Sequence, residues 1–131
     1  VNNQINHLTL KNATVGIFVG DVLNASNPTL KIDNTQIYNC SNIGLFSRSA
    51  KIEGTNLVIN SAGQASLACT EGGSYLFKHC TFNNNWQSSK QVAVLLSNYQ
   101  NNNDIITPKA LNQAEFDNCI IYGSNNFKIE K

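Results

Sequence analysis

The chain contains no methionine, two prolines, one tryptophan and one arginine, Arg48, and only 13% of its residues are charged. With a net charge near +1 there is no basic stripe or acidic run, which argues against a nucleic-acid surface. No apolar run approaches the roughly 20 residues a membrane-spanning helix needs. The start, VNNQINHL, has no charged n-region and no apolar h-region. It is expected to carry no signal peptide and to be a piece of something longer. The four cysteines form no C-x₂-C pair, so zinc is not expected. Neither Asn-Gly nor Asp-Gly occurs, and without these tight-hairpin dipeptides a β-sandwich is disfavoured.

What is abundant is asparagine, with 22 in 131 residues. Asparagine is a poor helix former and a good turn former. Alongside it are many Ile, Val, Leu, Thr and Phe residues, a balance that predicts short strands with frequent turns. Five stretches then align: INHLTLKN from Ile5, IDNTQIYN from Ile32, IEGTNLVI from Ile52, FKHCTFNN from Phe77 and FDNCIIYG from Phe116. The first column (Ile5, Ile32, Ile52, Phe77, Phe116) and the sixth (Leu10, Ile37, Leu57, Phe82, Ile121) are large and apolar. The third holds His7, Asn34, Gly54, His79 and Asn118, residue types that tolerate positive φ. Each repeat therefore reads strand, bend, strand. A second apolar stretch follows at VGIFV, IGLFS, ASLAC and VAVLL. A return segment such as TLKI, SAKI or SYLF leads to the next repeat.

A unit of this length cannot bury its own apolar face, but stacked units can, with equivalent strands in parallel about 4.8 Å apart. The expected fold is all-β, a right-handed parallel β-helix of about five coils. The hand follows the general crossover rule. The leucine spacing of a leucine-rich repeat is not seen. Residues 1–131 form one segment, with a loop insertion at about 83–110. With no capping helix in view, the open ends make end-to-end self-association a possible mode of partnering.

The octets and the Gly16-Ile17-Phe18 and Gly44-Leu45-Phe46 stretches resemble parallel β-helix repeats of the pectate-lyase-like superfamily. The run GGSYLFKHCTFNNNW, Gly72 to Trp86, is similar to stretches in β-helical surface proteins and lipoproteins of the Bacteroidetes kind. The resemblance implies a structural or ligand-binding module of a longer secreted or cell-surface bacterial protein, with polysaccharide as ligand. The alternative it implies is a polysaccharide lyase or glycoside hydrolase. Insertions in stacked-repeat proteins map to surface loops, often on the binding face. Trp86 and Tyr99, which flank the strand inside the insertion, are therefore candidate stacking surfaces for sugar rings. Trp86 covering the flank of the helix is the structural alternative. A lyase would need an Arg or Lys base beside calcium-binding acids. Arg48 and Lys51 are the candidate basic ligand contacts, but no acid cluster accompanies them.

No catalytic, metal or cofactor residue is assigned. His79 falls in the bend column, which accounts for it without chemistry, and it points away from Cys80. Cys80 and Cys119 are expected to stack as free, apolar-like thiols, since their Cβ vectors run parallel and suit a bridge badly. A Cys40–Cys69 bridge is not expected, with Cys40 at a turn. Asp33 and Glu53 are expected as stacked outward neighbours, followed by Lys78 and Asp117. Such a pair could hold calcium or serve glycoside hydrolysis, and otherwise it is a solvated ladder. Ice binding would need an outward threonine array, and Thr35 and Thr55 fall in an inward column.

Overall fold

A computed structural model describes residues 2–20, 29–86 and 91–124. Among these residues there are fourteen strands and no helix. In chain order they are β1 (Asn2–Asn6), β2 (Thr9–Lys11), β3 (Val15–Gly20), β4 (Thr29–Cys40), β5 (Ile43–Arg48), β6 (Lys51–Ala62), β7 (Ala65–Thr70), β8 (Gly73–Lys78), β9 (Thr81–Asn84), β10 (Val92–Leu96), β11 (Tyr99–Asn102), β12 (Ile105–Pro108), β13 (Leu111–Asp117) and β14 (Ile120–Gly123). No helix among them could cross a membrane.

Two parallel sheets pack against the main core, and a second, smaller cluster is formed by Ile43, Ala65 and Ala68 with Phe46, Val92 and Leu95. In the first, β1, β4, β6, β8 and β13 are successive neighbours, and beyond the bend the order continues as β2, β4, β6, β9 and β14. The second runs β3, β5, β7, β10. Its register pairs Ile17 with Leu45, Leu45 with Leu67 and Leu67 with Val94, as the four apolar stretches predict. Like side chains stack because a parallel in-register neighbour presents the same face at every position.

The bend recurs once per repeat, in left-handed backbone: His7 (φ 56°), Asn34 (51°), Asn56 (56°), His79 (54°) and Asn118 (50°). Asn56 takes the place expected for Gly54. Ile32 pairs with Gly54 and not with Ile52, which lies between Leu30 and Tyr75 in the adjacent row. The third octet therefore begins at Gly54, two residues later than its Ile suggests, and the return segment shifts from SAKI to KIEG. The inward row is Ile5, Ile32, Gly54, Phe77 and Phe116. Glycine fits there because the next rung fills its space. A Cβ at Gly54 would lie 2.7 Å from Phe77 Cδ1 and 2.8 Å from Leu57 Cδ1. Gly54→Ala should lower the urea midpoint by an amount equivalent to about 1–3 kcal/mol, the usual cost of overpacking. An unchanged midpoint would mean this contact is not tight.

In three of the five repeats the residue after the bend carries a short donor that ties it down; Leu8 and Leu57 stand there in the other two. Thr35 Oγ1 donates to Asp33 O at 2.9 Å, Cys80 Sγ to Lys78 O at 3.2 Å and Cys119 Sγ to Asp117 O at 3.3 Å. Each spans the left-handed residue, and Asp33 O and Asp117 O also accept the backbone N–H of His7 (3.2 Å) and His79 (3.0 Å) from the adjacent rung. On the outside, Asn34 Nδ2 donates to Asn6 Oδ1 at 3.1 Å and Asn56 Nδ2 to Asn34 Oδ1 at 2.8 Å. The bend column thus contains a short amide ladder. All four cysteines are free, and Cys40 is buried at the end of β4 rather than placed in a turn.

Buried groups of the core prefer to stay neutral. Burial pushes the Cys80 thiol from 9.0 up to about 11, and raises Cys69 further. Tyr75 is also raised, first by burial and then by Cys69. The Tyr75 hydroxyl donates to Gly72 O at 2.8 Å, so Ser47, 2.9 Å away, is the donor to Tyr75. These thiols ionise in the unfolded chain from about pH 9 but stay protonated in the fold. The unfolded state then binds fewer protons, so stability falls with rising pH. The Cys80 contribution to the urea midpoint should be flat below pH 9.0 and be lost progressively from there through about 11. Cys80→Ala should remove part of that slope.

Within 83–110, residues 87–90 lie outside the described residues. The remainder contains β10, which extends the second sheet, and an antiparallel hairpin of β11 and β12 that pairs Tyr99 with Pro108. The hairpin turns at Asn103 (φ 49°) and Asp104 (φ 64°), the double positive φ of a type I′ turn. Asn-Asp supplies what Asn-Gly usually does. Lys109 N donates to Asn98 O at 2.8 Å and closes the hairpin base.

Candidate functional site

The bend divides the outer surface of the first sheet into two facets. Before it, outward rows run Thr29, Lys51, Ser74; then Lys31, Glu53, Leu76, Glu115; then Asp33, Thr55, Lys78, Asp117. This facet is charged and of mixed sign. The expected Asp33–Glu53 neighbour pair is absent. Thr55 stands beside Asp33, and Glu53 sits one row away against Lys31. The stacked acids proposed for calcium or glycoside hydrolysis are therefore not formed. A shallow cleft of about 210 Å³ opens here between Gln4, Lys31, Lys51 and Glu53.

Beyond the bend the chemistry changes. One outward row is Thr9, Gln36, Val58, Thr81 and Ile120, and the other is Lys11, Tyr38, Asn60, Asn83 and Tyr122. Lys11 is the only charged side chain in either row. Val58, Ile120 and Tyr122 are 44%, 62% and 60% exposed. The second row reads tyrosine, amide, amide, tyrosine on successive rungs. The Oδ1 atoms of Asn60 and Asn83 are shielded from bulk water and accept no hydrogen bond from the protein. Asn42 Oδ1 and Gln91 Oε1, outside this row, are in the same state.

The residues singled out from sequence lie elsewhere. Trp86 follows β9, its backbone N–H donating to Asn84 Oδ1 at 3.3 Å and its carbonyl accepting from Gln91 Nε2 at 3.0 Å. Tyr99 opens the hairpin. In the chain the two lie on either side of β10. Arg48 ends β5 in the second sheet. Its guanidinium carbon lies 5.9 Å and 5.8 Å from the ring centroids of Phe18 and Phe46, and Nε is 3.5 Å from Glu71 Oε1. Lys51 opens β6 in the first sheet, with Nζ 3.6 Å from Glu53 Oε1. Arg48 and Lys51 thus belong to different sheets, and each has an acidic partner.

His79 is exposed and Cys80 buried, so the pair diverges. Among the described residues no group of three or more His, Cys, Asp or Glu side chains converges on a metal-sized site. The tyrosine–amide row escaped the sequence reading. With the third octet taken from Ile52, its column contains Val58 where Asn60 belongs. No family model, curated protein or solved structure matches the chain.

Proposed function

We propose that the chain is a segment of a right-handed parallel β-helix that acts as a carbohydrate-binding module of a secreted or cell-surface protein. The observation that carries the reading is the row Tyr38, Asn60, Asn83, Tyr122 on an open, nearly uncharged parallel face. The pairing of Asn60 with Asn83 follows from the adjacent partners Val58–Thr81 and Ile59–Phe82. Sugars present apolar C–H faces beside hydroxyls that both donate and accept. Tyrosine offers an apolar ring with a polar tip, and asparagine offers two donors and an acceptor. Val58 and Ile120 in the parallel row add apolar contact. The right hand of the coil rests on the crossover rule.

Retention on a panel of immobilised polysaccharides tests the reading. The intact chain should be retained by at least one, and Tyr122→Ala should weaken that retention by about tenfold, the upper end for losing one aromatic contact. Trp86→Ala should leave it unchanged. Passage of the intact chain through every matrix would remove the reading.

A further inference from the structure

We infer that the ligand of this facet is an uncharged polymer lying along the stacking direction, across β4, β6, β9 and β14. The inference rests on the carbohydrate-binding reading and deepens it. Direction comes from the register. Tyr38 and Tyr122 occupy one row three rungs apart, about 14 Å at the usual strand spacing, with Asn60 and Asn83 between them. A ligand that touches both rings must run along that row and not along a strand. Length follows from direction: a single sugar spans only part of the row, so contacts accumulate as the chain lengthens.

Charge selects the class. An anionic polymer is recognised through an opposing potential, which speeds encounter and fixes register. Among the described residues the two rows of the facet supply Lys11 alone, at the edge rung next to Tyr38. Lys31, Lys51 and Lys78 lie on the other side of the bend, interleaved with Asp33, Glu53 and Asp117. Their fields largely cancel and do not favour an anion.

The test is native gel electrophoresis of the full chain through gels containing a neutral glucan, a neutral mannan, polygalacturonate or alginate, at low and high salt. Size-graded neutral oligosaccharides then serve as competitors. Expected are retardation by a neutral polymer, insensitivity to salt, competition that strengthens until the oligosaccharide bridges both tyrosines, and loss of retardation in Tyr122→Ala and Tyr38→Ala. Tyr122 is mostly exposed, so its replacement should leave the denaturation midpoint in place. Retardation only by the acidic polymers, fading with salt, would overturn the inference and leave carbohydrate binding standing. Neutral retardation untouched by the tyrosine variants, or competed equally by a monosaccharide, would also overturn it. Retardation by none of the four would remove both the inference and the reading beneath it.

Discussion

Asn84→Ala should destabilise the chain by about 4 kcal/mol, a large fraction of an ordinary domain's stability. Asn84 is fully buried. Its Oδ1 accepts from Ala62 N at 3.0 Å, and its Nδ2 donates to Ala62 O and to Val92 O, both at 2.9 Å. Removing the amide strands one buried donor and two buried acceptors, each at about 1–3 kcal/mol if no water enters. The side chain also joins the two sheets. Ala62 ends β6 in the first sheet, and Val92 opens β10 in the second. A urea titration checks the size of the loss, and hydrogen exchange at the Ala62 amide checks its place. The neighbouring Asn85 is exposed, and Asn85→Ala should stay within about 0.5 kcal/mol of the parent. Equal effects at 84 and 85 would contradict the account.

The same residue shows which parts of the fold can be read from sequence. Asn12, Asn39 and Asn84 share a column after the second arm of each octet. Asn12 and Asn39 adopt left-handed backbone (φ 60° and 57°), as turn-opening asparagines should. Asn84 instead turns its side chain inward and replaces missing backbone partners. Residue type predicts that a turn occurs there, but not which of the two solutions the turn adopts. Repetition was the readable part. The second sheet appears in the sequence with its register correct, because all four of its stretches are apolar and similar.

The first sheet is readable except at one rung, where side-chain likeness and backbone register disagree. Ile52 resembles Ile32, yet Gly54 occupies the equivalent position, since packing conserves row volume and not residue type. That two-residue slip produced a false Asp33–Glu53 pair and concealed the Tyr38–Asn60–Asn83–Tyr122 row. A hairpin at Asn103–Asp104 was hidden for a different reason: asparagine and aspartate reach positive φ without the glycine that usually marks such a turn.

Row volume leads to the second large effect. Phe77→Ala should destabilise the chain by about 4 kcal/mol. Phe77 is fully buried, stacked on Phe116 at 5.4 Å and edge-on to Phe82 at 5.2 Å, and Phe82 meets Phe116 at 5.9 Å. Deleting the ring opens a cavity that cannot collapse from below, because the rung beneath has Gly54 at that place. The two positions should therefore be coupled. Gly54→Ala, costly in the parent because its methyl meets Phe77, should cost little or become favourable when Phe77 is already alanine. A double-mutant cycle on urea midpoints measures the coupling, expected at about 1–3 kcal/mol for residues in direct contact. If Gly54→Ala cost the same in both backgrounds, Gly54 and Phe77 would not share one row volume, and the stacking order of the first sheet would have to be redrawn from β6 onward.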